Sequence, residues 1–552
     1  MAVCSVVLGR LRMFTDARSL PPGSTLAADI CIIGAGAAGI TLARALGGGE
    51  LSVAVLESGG FTFEEATQEL YDGRLTGEPT TPLVDDRLRY LGGTTNHWSG
   101  GCRPFDAHDF AAWPFGLATM EPYYRRAQTI CQLGRYSYDA DDWATPTVYP
   151  LRFAPGATLK SGVYQNSPPT RFGQVYRDEL AKLRGLTVYL HANVIDIATS
   201  ETASEVTGLE VATLDGKRFS AKATLYVLAT GAVENARILL NADKTQKTGL
   251  GNGYDKVGRY FMDHPYISCV ATLIWTGPPE GLQFYLEGTT IDGTPILGYV
   301  TATPAVLARS ERPSFGIGFQ RGDVPDRGFW AKSAEDIYHA VAAGRMPDHL
   351  GFHVGRIARG LEWETEDAYR HVFHADASLY STDYIAECPP DPASRVSLID
   401  ERDALGQRRV ALDWRLPRDF EANMIEAHDA LARELGRAGL GRLRLHSAET
   451  GYDPMAAIEN GHHHMGTTRM SADPRQGVVD ADGKLHGCAN LYVAGSSVFP
   501  SYSFDNPTLT VVALALKLAD RLKASMAAVP RVDTLAAPAA PEPAAATAGD
   551  GR

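Results

Sequence analysis

The chain has 552 residues, 44% hydrophobic and 21% charged, the composition of an ordinary globular protein able to bury more than one core. A formal net charge of -13 and a pI near 5.6 exclude nucleic-acid binding through phosphate contacts, which needs a basic surface. Seven scattered cysteines (Cys4, Cys31, Cys102, Cys131, Cys269, Cys388, Cys488) form no CxxC pair, so neither a disulfide framework nor a zinc site is expected, and reduced thiols suit a cytoplasmic protein.

The opening MAVCSVVLGRLRMF has an apolar patch with no basic segment before it and no small-residue cleavage site after it, so no secretory signal is expected. Residues 1–24 read as an N-terminal extension. From residue 25 the texture changes. ADICIIGAGAAGITLARALGGGELSVAVLE predicts a buried strand, a glycine turn, an Ala/Leu-rich helix and a second strand. Gly34, Gly36 and Gly39 hold GxGxxG spacing: the first permits the tight turn, the second lets backbone approach a pyrophosphate, and the third lets helix and strand pack closely. Glu57 ends the second strand, placed to accept hydrogen bonds from ribose hydroxyls. The unit predicts a dinucleotide site without separating FAD from NAD.

Residues 62–184 are rich in turns, with a glycine cluster at LGGTTNHWSGG (91–101) and a helical run near EPYYRRAQTICQL. LTVYLHANVIDIAT, VTGLEVATL and LYVLATGAVENARILL predict strands, the last followed by a helix in the strand-ATG-helix pattern of a chain returning beneath a cofactor. Residues 266–320 alternate apolar and polar like sheet strands, as do RVSLID and RRVALDWRL, and 417–439 has helical periodicity.

GHHHMGTTRM places His462, His463 and His464 side by side. No HExxH or acidic ligand set accompanies them, so no metal site is expected; a polar tract and a catalytic base remain as readings. On an extended segment neighbours alternate faces, so His462 and His464 would point together and His463 the other way. NLYVAGSSVFPSYSFDNPTLTVVALALKLADRL then runs a strand into Gly495 and Ser496, a loop, and an apolar helix with Asn506 suited to its N-cap and Pro507 to its first turn. That helix, broken by Lys517 and Asp520, is too short and too charged to span a bilayer. The Ala/Pro tail, 526–552, cannot bury enough surface to fold.

RYLGGTTNHWSGG, VGRYFMDHP, ECPPDPASRVSL, HHMGTTRM and LYVAGSSVFPSYSFDNPTLT, together with the glycine motif, resemble the glucose-methanol-choline (GMC) oxidoreductase family, and within it the pyranose-oxidase-like and glycoside-oxidase-like branch. The resemblance implies an α/β fold: a discontinuous FAD-binding Rossmann-type domain with a substrate domain on an antiparallel sheet that roofs the flavin. The segments run 25–110, 185–265 and 456–525 for the FAD domain, 111–184 for a substrate-side lid and 266–455 for the substrate domain, with the family-like beginning near Met13. It implies hydride transfer from an alcohol carbon to flavin N5, with His463 as base, three residues before Gly466, and Asn506 as its partner on the substrate oxygen. Sugars and glycosides are the implied substrates, with another alcohol or a non-catalytic flavoprotein as alternatives, and oxygen or another acceptor takes the electrons. Cofactor positions carried over are Gly34, Gly36, Ala38, Gly39, Glu57, Gly92, Gly93, Asn96, His97, Ser99, Val194, Ala229, Gly231, Gly495, Ser496, Asn506, Pro507 and Thr508. FAD is expected to be noncovalent, with attachment through His97 as the alternative. The chain departs from the family at Cys388, where many relatives have Gln beside the Glu, and at Phe504-Asp505, where small residues are common. Asp505 is expected to narrow the pocket, to interact with a polar substrate, or to face solvent.

Overall fold

The computed structural model describes residues 13–78, 80–307, 313–321, 378–447 and 453–528, with isolated positions between 333 and 357. Residues 1–12 and 529–552, which include most of the expected tail, lie outside the described residues.

Apolar runs without polar alternation make strands that are buried on both faces, and Thr25–Ile33, Val53–Leu56 and Arg218–Leu228 end in such runs. They pair in parallel, with Ile30 opposite both Val53 and Leu225. The sheet runs Phe14–Asp16, Leu186–Leu190, Val53–Leu56, Thr25–Ile33, Arg218–Leu228, Val206–Ala212, Asn193–Thr199, with Leu491–Val493 on the end of Arg218–Leu228. Only the pairings of Val206–Ala212 are antiparallel. Phe14–Asp16 pairs with Leu186–Leu190, so residues 1–24 are not all extension: from residue 14 the chain is an edge of this sheet.

The glycine turn closes over the strand ends. Gly34 sits at φ +97°, where a Cβ would lie 2.6 Å from the Ala229 carbonyl oxygen, and a Cβ on Gly39 would lie 1.9 Å from the Gly34 oxygen. Helix Ala37–Leu46 then packs on Thr508–Ala527, which also packs on Leu117–Ile130. Thr508–Ala527 is apolar nearly all round because it is covered nearly all round; Leu509, Val512, Ala513 and Leu522 are buried, each buried leucine or valine contributing about 1.5–3 kcal/mol. Two expectations are corrected here. Pro507, not Asn506, is the cap position, and no side chain caps the helix; Asn506 donates its amide to the Gly101 carbonyl at 3.1 Å. The helix continues through Ala527, past the expected start of the tail.

The alternating segments form the second sheet, antiparallel throughout its main path: Gly441–Leu445, Pro265–Trp275, Ser378–Ala386, Phe315–Arg321, Thr294–Ala302, Leu159–Asn166, Gly101–Cys102. One face buries Ile317, Phe319, Tyr380 and Tyr384 in a core shared with Met424, Leu431 and Leu435 of helix Phe420–Ala438. The expected α/β pairing of a parallel nucleotide-binding sheet with an antiparallel substrate sheet is therefore present. The segment boundaries differ in detail. Gly101–Cys102 and Leu159–Asn166, outside the expected substrate domain, belong to its sheet, whereas the hairpin Arg395–Arg402 and Arg408–Asp413 leaves it to pair with Gly73–Leu75 against helix Ala232–Asn241.

Gly39→Ala is expected to cost roughly 1–3 kcal/mol or more, because the clash is with backbone that cannot move without opening the junction of strand and helix; urea unfolding checks it, and unchanged stability would contradict the packing described.

Candidate active site

Between the two sheets lies a cavity of about 1760 Å³. Gly34, Gly36 and Ala38 of the glycine turn line it, with Glu57, Gly93, His97, Ser99, Val194, Ala229, Gly231, Gly495, Ser496, Asn506, Pro507 and Thr508. Three of the carried-over cofactor positions do not. Gly39 is spent on helix packing, Gly92 forms a left-handed turn at φ +98°, and Asn96 turns back to donate to the Leu91 carbonyl at 3.0 Å.

The cradle fits a dinucleotide. A Cβ on Gly36 would meet nothing within 4 Å, so the backbone there faces open space at the N-terminus of Ala37–Leu46, where unpaired N–H groups favour a phosphate. Glu57 is buried, its Oε2 accepting from Ala35 N–H at 2.7 Å and Oε1 from Gly59 N–H at 3.0 Å; a carboxylate keeps further lone pairs for ribose hydroxyls.

The three histidines separate as strand alternation anticipates, although the backbone is not extended, His462 lying at φ +59°. His462 Nδ1 lies 2.5 Å from Asp86 Oδ1 and His464 Nε2 lies 2.7 Å from Asp86 Oδ2. The His463 ring turns the other way and meets His264, Nδ1 to Nδ1 at 2.8 Å, with the ring planes at 89°. His264 Nε2 lies 2.6 Å from the Ser503 carbonyl oxygen. A carbonyl only accepts, so His264 carries its proton on Nε2 and offers a lone pair at Nδ1. His463 therefore donates from Nδ1 and has its lone pair on Nε2. Burial pushes His264 down to about 4. Burial, then His264, His462 and His464, hold His463 well below the ordinary imidazole value, so both rings are neutral at neutral pH.

Asp263, fully buried, fixes the backbone behind these rings, its Oδ1 accepting from the N–H groups of His264 at 2.7 Å and His463 at 2.8 Å. Asp263, His264 and His463 place ligand-type atoms within 4.8 Å of one another, the one such cluster among the described residues. The rings of His264 and His463 bond each other while Asp263 bonds their backbone N–H groups, so the three form one hydrogen-bonded unit. FMDHP was legible as a motif, yet nothing in it shows that His264 stands against His463; Asp86 carries no sequence signal at all.

Asn506 lines the same cavity from the opposite loop, whose residues are pinned one by one. Tyr502 donates to the Asp263 carbonyl at 2.8 Å and accepts from Cys388 N–H at 2.6 Å, which places Cys388 in the support of the loop, its thiol buried and raised by that burial. Phe504 packs over Gly316, and its N–H donates to Ser314 Oγ at 3.2 Å. Asp505 does not face solvent and does not line the cavity: it is fully buried and accepts from Arg103 Nη1 at 2.9 Å, while Arg103 also holds Asp106. Arg103 and Asp505 are thus a buried ion pair that sequence reasoning missed, since the residues lie 402 positions apart.

Residues 390–515 match the family described as GMC oxidoreductase. The chain is 25% identical to 6'''-hydroxyparomomycin C oxidase of Streptomyces lividus, over 91% of this chain and 92% of that protein. It is 22% identical to the fructose dehydrogenase large subunit of Gluconobacter japonicus, over 90% and 98%. The fold is similar to the crystal structure of pyridoxine 4-oxidase from Mesorbium loti, with a TM-score of 0.58 and 19% identity over 89% of this chain and 98% of that one. The dinucleotide cradle facing a buried imidazole pair fits an FAD-dependent oxidoreductase acting on alcohols. The chain is thus similar to GMC oxidoreductases, through the family match over residues 390–515 and through relatives aligned over about nine-tenths of its length. No helix among the described residues is long and apolar enough to cross a membrane.

Two variants test this geometry. Gly36→Ala is expected to fold, having room for its methyl group, but to lose FAD because the methyl occupies the phosphate approach; an FAD content equal to wild type would contradict the cradle. Asp505→Ala is expected to cost about 3 kcal/mol in urea unfolding, because the Arg103 guanidinium then stays buried with Asp106 alone.

Proposed function

We propose that the protein oxidises a secondary hydroxyl of a sugar or glycoside to the carbonyl, with His463 as the base and Asn506 as its partner. The observation that carries this reading is the hydrogen-bond chain from Ser503 through His264 to His463, which leaves an unprotonated Nε2 on a neutral ring lining the cavity. FAD, when bound along Gly34, Gly36, Glu57, Gly93, Ser99, Gly495, Ser496 and Thr508, supplies the acceptor for the hydride that leaves the alcohol carbon.

His463 Nε2 takes the hydroxyl proton as that hydride leaves, and general base catalysis of this kind contributes roughly a hundred- to ten-thousandfold. His264, kept neutral by burial, accepts from His463 Nδ1–H and steadies the imidazolium that forms. Asn506 binds the same substrate oxygen with the amide atoms that its bond to Gly101 leaves free. Neither His264 nor Asn506 needs to move a proton. Similarity to a fructose dehydrogenase subunit and to a hydroxyparomomycin oxidase supports a polyhydroxylated donor, and oxygen or another acceptor takes the electrons. His97 lines the cavity with a ring held below its ordinary value by burial and by His462. The cofactor is read as noncovalent, so acid precipitation should release all the yellow chromophore; retention on the precipitate would place a covalent link at His97.

His463→Ala is expected to keep FAD but to slow its anaerobic reduction by a sugar or glycoside about a hundredfold or more. In the wild type the rate should fall in acid, as pH drops through the depressed value of His463. Stopped-flow reduction across pH with a panel of sugars, glycosides and simple alcohols checks both. A variant as fast as wild type ends the proposal, and bleaching by non-sugar alcohols alone moves the substrate class.

A further inference from the structure

Asp86 precedes the glycine cluster in sequence, and its side chain is 0% exposed. It meets three residues of the histidine segment: His462 Nδ1 at 2.5 Å, His464 Nε2 at 2.7 Å and Asn460 Nδ2 at 3.2 Å. The His463 ring, between two of these contacts, points away toward His264. The left-handed backbone at His462 is uncommon for a residue with a side chain and persists only where its surroundings hold it. Without Asp86, His462 and His464 would lose their nearest carboxylate, leaving Asp263 at 3.6 Å from His464 Nε2 and the bond to His264 as what sets the middle ring apart.

We propose that Asp86 is a positioning residue that fixes which of the three histidines faces the catalytic cavity and in which orientation. The inference rests on the reading of His463 as the base. Its titratable part is His462, whose side chain is 49% exposed where that of His464 is 7% exposed. The groups facing His462 are Asp86, Asp263 and Glu459, with His97 and His463 as neighbouring rings. The hydrogen bond that His462 donates to Asp86 raises the proton affinity of His462, while His464 and His462 hold Asp86 far below the carboxylate range against its burial. The imidazolium-carboxylate clamp is therefore complete below the raised value of His462 and weakens as pH rises through it. Flavin reduction should then show an alkaline limb belonging to His462, separate from the acid limb belonging to His463.

The test compares wild type with Asp86→Asn, His462→Gln and His463→Ala at measured flavin content. Flavin reduction by a sugar is followed across pH, and histidine ring nitrogens are observed by NMR. Asp86→Asn is expected to slow reduction roughly tenfold to a hundredfold per bound flavin, the loss that a misplaced catalytic group brings, and to mix the tautomers of His463. His462→Gln is expected to abolish the alkaline limb while keeping the acid one, which a merely structural role would not do. Asp86→Asn with the wild-type rate and profile overturns the proposal. If that variant does not fold, an unchanged alkaline limb in His462→Gln overturns it equally. His463→Ala separates the two readings. If it is slow while the other variants behave as wild type, only the role of Asp86 fails; if it is as fast as wild type, the base assignment fails and this inference with it.

Discussion

A carbonyl oxygen has no proton to give, and the chemistry available in the cavity depends on that fact at Ser503. Because its oxygen lies 2.6 Å from His264 Nε2, the proton on His264 must sit there, the lone pair must face His463, and the lone pair of His463 must face away from His264. Burial removes the other protonation states by making charge on either ring costly. The tautomer of the proposed base is thus set two residues away by a main-chain atom, which cannot titrate.

Around this pair the protein accepts the cost of burying charge. Asp86 and Asp263 are both buried, and each removed charge costs several kcal/mol unless it is compensated by hydrogen bonds or partners. Asp86 is compensated by His462 and His464; Asp263 lacks a partner as close and is raised by burial, although backbone N–H groups and Asn460 donate to it. On the other side of the cavity Arg103 and Asp505 are similarly enclosed beside Asn506. Pairs of this kind add little net stability compared with apolar packing. Their contribution is direction: a charged partner fixes the orientation of a loop where an apolar contact would allow it to slide.

The loop from Tyr502 to Asn506 shows the same division of labour between sheets. Its Tyr502 hydroxyl bonds the residue that precedes His264, Ser503 bonds His264, Phe504 lies over Gly316 of the antiparallel sheet, and Asn506 bonds Gly101 at that sheet's edge. The helix that follows it packs against the glycine-turn helix of the nucleotide-binding sheet. One short segment therefore registers the substrate sheet against the cofactor cradle, so the two proposed catalytic side chains are placed by the joint and not by either sheet alone.

What the sequence by itself determined is whatever is contiguous. The strand, glycine turn, helix, strand and acid of residues 25–57 touch one another within one local unit, so spacing and residue type were sufficient to predict the fold of that unit and its ligand class. The period of two in the later strands was enough for the antiparallel sheet. Local rules failed where a distant partner set the orientation: Asn506 has the right chemistry for an N-cap, but its carboxamide is turned to donate to the Gly101 carbonyl, 405 residues away. The same reason hid His264 from His463 across 199 residues and Asp86 from His462 across 376. Proton position, charge state and ring orientation are properties of contacts, and only the tertiary structure brings those contacts together.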